Sequence, residues 1–323
     1  MPVDRPDPAE DPDEPVRGRP LDGPQLPDGP RPSDAAPLPL DPAESDAVHG
    51  AYRTLVTQIH AAHRESAQDG TRGTAADADR DPWAEALPSL RAAWEEHENR
   101  YPERERVTPV THMDGSWSSG ETRRLTPDQN TEATKACADI HDEGERFALP
   151  VLLQIEAADS NRRMVGVDHM LKGVDRLKEK IADALRARPE LTATQALSIV
   201  PDPVRFTYEY SPDRYAAGVL ADVERLKNNG LEEVKLKNLW SDQQYKGINS
   251  QWRRPETGLR IEVQFHTPAS LETKELTHKA YERLRGTDTS PTERNELVAF
   301  QRRVNSLIEI PPGISEIPDF PEK

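Results

Sequence analysis

The chain has 323 residues, of which 34% are hydrophobic and 30 are proline, and its formal net charge is −16. That length holds one large domain or two small ones, while the shortage of apolar residues and the excess of proline imply that part of it does not pack. The acidic balance excludes broad attraction to DNA or to an acidic membrane, although a local basic pocket would be hidden in the total; the single cysteine, Cys137, excludes an intrachain disulfide and a thiolate zinc cluster.

Residues 1–44 contain 13 prolines and an excess of Asp and Glu. Apolar side chains are too few there to offset ordering entropy, which predicts a disordered acidic tail, either a solvated spacer or a docking tail for a basic partner. The opening M-P-V-D-R-P-D-P-A-E-D has neither a basic leader nor an apolar core, and no apolar run is long enough to span a bilayer. The expected location is the cytoplasm, with leaderless export or carriage within a toxin system as the alternative.

Asp46 can cap a helix whose face is Val48, Tyr52, Leu55, Val56 and Ile59. Gln68 to Asp81 is polar and reads as a linker. Trp83 to Tyr101 reads as a second amphipathic helix through Trp83, Leu87, Leu90 and Trp94, with Pro88 disturbing its first turns. The two helices suit a hairpin, and Val107 to Asn130 is loop-like, so residues 45–130 are expected to form a helical accessory region.

Thr131 to Asp159 reads as helix with a break at Pro150, and Asp175 to Ala187 as another. Ala196 to Tyr210 has strand character through Ile199, Val200, Val204, Phe206 and Tyr208, around a Pro-Asp-Pro turn. Pro212 to Asn229 is a helix stopped by Gly230. Strands follow at Val234 to Trp240, Gly247 to Arg253 and Leu259 to His266, then helices at Ala269 to Arg285 and Thr292 to Leu307. The order predicts an α+β fold, a nucleotidyltransferase-like mixed sheet flanked by helices over 131–312, with a short tail at 313–323.

Three groups of residues could carry chemistry. Asp202, between two prolines, and Glu262, on a later strand, could share one Mg²⁺. In I-E-V-Q-F-H, Ile261, Val263 and Phe265 fall on one face and Glu262, Gln264 and His266 on the other; an ordinary exposed sheet face would alternate the same way. Tyr245 could stack on a base, Lys246 could meet a phosphate, and Gly247 permits close backbone approach, although a plain turn into a strand reads identically. Lys235, Lys237 and Arg205 add positive charge nearby. Lys172, Arg176, Lys178 and Lys180 form a basic helix start suited to phosphate, or a solvated face. Cys137 with His141 is too few ligands for a metal site, and His141-Asp142 lacks the partners of a metal-dependent phosphohydrolase. No P-loop, G-x-S-x-G or kinase signature occurs.

The succession P-D-P-V-R-F-T, V-K-L-K-N-L-W, Y-K-G-I-N and I-E-V-Q-F-H-T resembles the RelA/SpoT-type synthetase domain, and more closely its compact actinobacterial branch of ATP nucleotide 3′-pyrophosphokinase-like and toxin-associated domains. The likeness spans about Thr131 to Pro312 and is strongest from Tyr245 to Glu282, including a helix with Lys274, His278 and Tyr281. It implies transfer of a pyrophosphoryl group from ATP to the ribose 3′-hydroxyl of an acceptor, a guanine nucleotide, an adenine nucleotide or an RNA 3′ end, as in alarmone synthesis. It implies Asp202 and Glu262 as Mg²⁺ ligands, with Glu262 also deprotonating the hydroxyl. Lys172, Arg176, Lys180 and Arg205 would meet ATP phosphates. Tyr245, Lys246, Asn249, Lys237, Gln264 and His266 would serve the acceptor. A cognate antitoxin or delivery partner belongs to the same expectation, whereas DNA and membrane do not. Four positions depart from the family pattern: Met170 stands where relatives carry arginine, Arg176 where they carry serine, Glu179 where they carry a basic residue, and Asn249 where many carry histidine. A degenerate nucleotide-binding sensor or scaffold is the competing expectation.

Overall fold

A computed structural model describes residues 82–102, 107–286 and 289–320. The expected tail, the helix from Asp46 and the linker to Asp81 lie outside the described residues. The next expected helix is α1 (Pro82–Arg100), which runs through Pro88 without a break because Trp83, Leu90, Trp94 and His97 bury one face of it.

The segment expected to be loop-like instead holds a small antiparallel sheet of β1 (Val110–Thr111), β2 (Trp117–Ser119) and β3 (Arg123–Leu125). Strands of two or three residues are too short to display alternation. Their anchors are the buried Trp117 and Leu125.

Helix α2 (Pro127–Glu143) starts earlier than expected, because Thr126 and Gln129 form a capping box. A π-helical turn, Gly144–Ala148, joins it to α3 (Leu149–Ala157). Pro150 sits in the first turn of α3, so the helix changes register ahead of the proline rather than breaking at it. An unexpected strand, β4 (Arg162–Val165), follows, then α4 (Val174–Ala187). The stretch from Ala196 was expected to be extended, but its start closes α5 (Ala193–Ser198), capped by Thr192 and Gln195; Ile199 ends that helix and Val200 is buried behind it. The strand proper is β5 (Val204–Tyr210).

The remainder follows the sequence reading: α6 (Tyr215–Asn228), β6 (Glu232–Asn238), β7 (Ile248–Arg253), β8 (Arg260–His266), α7 (Pro268–Arg285) and α8 (Pro291–Asn305). The main sheet runs β4-β5-β8-β7-β6. Only β5 and β8 pair in parallel; the other neighbours are antiparallel. The fold is therefore α+β, a mixed sheet with helices against it. Residues 313–320, expected to be a tail, lie along β6, where Phe320 bridges Leu236 and Asn238 donates to the carbonyls of Ile314 and Ile317.

One face of the sheet, with Phe206, Tyr208, Trp252, Ile261, Val263 and Phe265, belongs to the main core. A second core joins α2, α4 and α5 through Cys137, Leu177, Ile181 and Leu197. Helix α6 reaches the sheet closely at Gly218, where a Cβ would meet Tyr210 Cε1 at 2.3 Å. Tyr210 cannot retreat, because its hydroxyl bonds the buried Asp222 and its ring meets Tyr215 edge-on. Gly218→Ala is expected to destabilise the fold by about 1–3 kcal/mol through overpacking, read as a lower urea midpoint.

Candidate functional site

The parallel pairing of β5 and β8 fixes the site. Its register sets Arg205 opposite Glu262, Thr207 opposite Gln264 and Glu209 opposite His266. Across β7, Gln251 lies opposite Glu262 and Asn249 opposite Gln264; Lys237 of β6 continues the row beyond Asn249. Alternation along each strand gathers these groups on the face away from the main core. The polar row expected on β8 is thus present, but it is not an open sheet face. Glu262, Gln264 and His266 are 8%, 4% and 0% exposed. Helix α7 covers them, with Lys274 Nζ donating to Gln264 Oε1 at 2.6 Å and Ser270 Oγ 2.9 Å from His266 Nδ1.

Asp202 reaches this face through a short ladder outside the strands. The Lys172 N–H donates to the Pro203 carbonyl (3.0 Å) and the Arg205 N–H to the Met170 carbonyl (2.7 Å). The ladder brings Lys172 Nζ to 2.5 Å from Asp202 Oδ2. Arg205 then joins the two carboxylates, with Nη2 2.9 Å from Asp202 Oδ2 and Nε paired with Glu262 Oε2. The result is a continuous chain, Lys172–Asp202–Arg205–Glu262, of alternating charge. Burial pulls the Lys172 ammonium below its ordinary value, against the pull of Asp202.

His141 supports the chain from behind, donating through Nε2 to the Lys172 carbonyl at 2.9 Å. That accounts for a histidine which the sequence left without a role. Cys137 is buried, which pushes its thiol up to about 11, so it is neither nucleophile nor thiolate ligand. No group of three or more His, Cys, Asp or Glu suited to a metal occurs among the described residues. Two carboxylates are nevertheless a sufficient protein contribution for Mg²⁺, which takes its other ligands from water and substrate phosphates. Asp202 Oδ1 is buried without a hydrogen-bond partner, a hard oxygen acceptor left unused beside Glu262. The donor set therefore fits Mg²⁺.

Lys172, Arg176, Lys180 and Arg205 were expected to bind phosphate, and all four line one cleft of about 610 Å³ together with Asp202. Its other wall comes from α7, with His278 and Tyr281, and Arg123 of β3 reaches in from the small sheet. Six Lys and Arg side chains face four Asp and Glu there, a local positive excess within an acidic chain. Lys178, read with the same basic run, is instead buried on the side of α4 near Cys137.

The cleft carries its own counter-ions. Arg176 pairs with Glu179 at 2.8 Å, and Arg123 with Asp183 at 3.0 Å. Burial acts to raise the Glu179 carboxyl, but hydrogen bonds from Arg176 and Ser119 outweigh it and leave it below its usual value. Arg123 escaped the sequence reading because an arginine in a segment without periodicity gives no sign of where it points. Met170 is 5% exposed and packs in the main core. An arginine substituted there would begin among apolar neighbours.

The expected acceptor residues divide. The Tyr245 hydroxyl donates to Asn249 Oδ1 at 2.8 Å and lies 3.0 Å from His266 Nε2; the two rings meet edge-on, 5.6 Å between centroids. Gly247, at φ +147, makes this possible, because a Cβ there would meet His266 Cε1 at 2.8 Å. Its close approach is thus to a side chain of the fold. Burial and the Lys274 ammonium push the His266 imidazole well below its ordinary value, so it stays neutral and orients Tyr245. Gln264 joins the cluster through Lys274, and Lys237 is exposed beside Asn249 on the edge strand. Lys246 is turned away from it: Nζ donates to the carbonyls of Trp240 (2.6 Å) and Asp242 (2.8 Å), holding its own loop.

No protein-family model matches the sequence, and no curated protein does. Among solved structures, the chain is similar to a GTP pyrophosphokinase family protein from Streptococcus pneumoniae, at 14% identity over 57% of this chain and 90% of that one, TM-score 0.38. It is also similar to small alarmone synthetase 2 from Bacillus subtilis (17% identity, 56% and 94% coverage, TM-score 0.35). A third is small alarmone synthetase 1 from the same organism, bound to its product pppGpp (10% identity, 55% and 89% coverage, TM-score 0.36). Identity and TM-score are both low, and the chemistry of this site follows from its own side chains.

Lys274 offers a pH handle on the covered face. Burial, with Arg205 adding repulsion, lowers its ammonium to about 8. A folded value below the unfolded one means that the unfolded chain holds the extra proton above pH 8, so Lys274 makes stability rise with pH from about 8 toward the ordinary lysine value. Lys274→Met should lose that rise. The wild-type urea midpoint, compared with that of the variant, should gain between pH 8 and 10; a constant difference would show that Lys274 does not titrate there.

Proposed function

We propose that the protein transfers the pyrophosphoryl group of ATP to the ribose 3′-hydroxyl of an acceptor nucleotide, with Mg²⁺. The observation that carries this reading is one ion-pair chain of Lys172, Asp202, Arg205 and Glu262, the first three of which line a cationic cleft. Such transfer needs alignment and neutralised charge more than covalent help from the protein.

Lys172, Arg176, Lys180 and Arg205 hold the donor triphosphate. The Tyr245 ring, fixed by Asn249 and His266, is the face for the acceptor base. The acceptor 3′-oxygen attacks the β-phosphorus of ATP, the bond from that phosphorus to the α–β bridging oxygen breaks, and AMP leaves. The hydroxyl proton passes to Glu262. Mg²⁺, when held by Asp202 and Glu262, would neutralise charge on the transferring phosphates. The guanidinium now between those carboxylates would turn toward phosphate as substrate arrives. The acidic segment before residue 45 would then be where a delivery partner or antitoxin attaches.

A binding module without catalysis is the second reading, favoured by the acid Glu179 inside the cleft and by the burial of Met170. Purified protein with labelled ATP, Mg²⁺ and each nucleotide in turn distinguishes them. Synthesis predicts AMP and a 3′-pyrophosphorylated product, whereas the module binds nucleotide and releases no AMP. Glu262→Gln should lower the rate on the order of 10²-fold or more. Unchanged turnover in that variant would remove Glu262 from the chemistry.

A further inference from the structure

The cleft carries an aromatic ring that the proposed chemistry does not use. Tyr281 of α7 is 50% exposed, and no other Phe, Trp or Tyr among the described residues is as exposed. An aromatic ring left in water within a cationic cleft offers an apolar face where no fold contact needs one. The ring is also held. Arg285, one helical turn on, sets its guanidinium carbon 5.5 Å from the ring centroid and Nη1 3.3 Å from the hydroxyl. Both side chains line the cleft that contains Lys172, Arg176, Lys180 and Arg205, and a volume of about 610 Å³ is in the range that admits a nucleotide.

We infer that Tyr281, steadied by Arg285, is a stacking platform for the purine base of the nucleoside triphosphate whose phosphates lie on the cleft's cations. This rests on the reading of that cleft as the donor site. Stacking recognises the flat face of the base, while the Arg285 guanidinium adds a donor toward the acceptor atoms at a purine's edge. It gives the donor base a contact built from α7.

The test is calorimetry on the full chain with Mg²⁺ and two probes: ATP, and inorganic tripolyphosphate, which has the charge without the base. Tyr281→Ala should weaken ATP binding about 10-fold or more and leave tripolyphosphate binding unchanged; Tyr281→Phe should bind ATP as the wild type does. Equal ATP affinity in wild type and Tyr281→Ala would overturn the platform while leaving the donor cleft standing. Parallel loss of both probes would also overturn it, because the substitution would then be acting on the cleft as a whole. A wild-type chain that binds neither probe would overturn the donor-cleft reading itself, and the platform with it.

Discussion

Arg205 sits between two carboxylates that could not otherwise share one place. Asp202 and Glu262 have side chains only 15% and 11% exposed, and two anions in such surroundings repel each other and lose hydration. The guanidinium offsets both at once, and Lys172 adds a second cation on the Asp202 side. None of this geometry depends on a flexible loop. Arg205 and Glu262 are register partners on adjacent parallel strands, and Lys172 is held by backbone bonds to the start of the same strand. The sheet register therefore sets the electrostatics of the site.

Helix α7 closes the arrangement and ties it to the rest of the molecule. Its inner side covers the polar row of β8 through Lys274 and Ser270, and its outer part supplies His278 and Tyr281 to the cleft. Behind it lie α1 and α8. Trp94 of α1 packs on Phe300, and the Trp83 indole and Arg91 both bond Glu272; Lys279 pairs with Glu98, and Arg283 donates to the Tyr101 carbonyl. The small sheet braces the opposite wall, where Trp117 and Ser119 donate to Asp175 and Glu179. Segments read from sequence as accessory thus support both sides of the cleft, and the position of α7 depends on them.

What could be read beforehand followed from contrast between neighbours. On β8 the apolar and polar residues alternate without exception, so face and period were both legible. The α6 stop at Gly230 was equally plain. β4 was not, because two of its four residues are arginines, and one of them, Arg162, is wholly buried against Asp222; a buried ion pair looks like surface in a sequence. The small sheet was too short to carry a period, and with it went Arg123. Lys246 was read with Tyr245 because they are adjacent, yet its ammonium turns back to the carbonyls of Trp240 and Asp242. Lys172, Arg176 and Lys180 were legible as a basic helix start suited to phosphate, although their spacing would equally suit a solvated helix face.

On the proposed reading, the acids within the cleft set what phosphate binding would gain. Arg176 and Arg123 are each bound to a carboxylate from α4, so a triphosphate placed there would compete with Glu179 and Asp183 for guanidinium groups already engaged. Phosphate oxygens have the advantage of higher charge and of the same bidentate fit. The gain is nevertheless a difference between two ion pairs, smaller than the contact with a free arginine would give. Lys172 and Arg205 stand in the same relation to Asp202 and Glu262, with one distinction: a cation accompanying the phosphates would take over those carboxylates as the guanidinium leaves them. Exchange of partners at both ends keeps the buried charges compensated throughout. On that reading the cleft would bind a donor with only part of the energy that its count of cations implies.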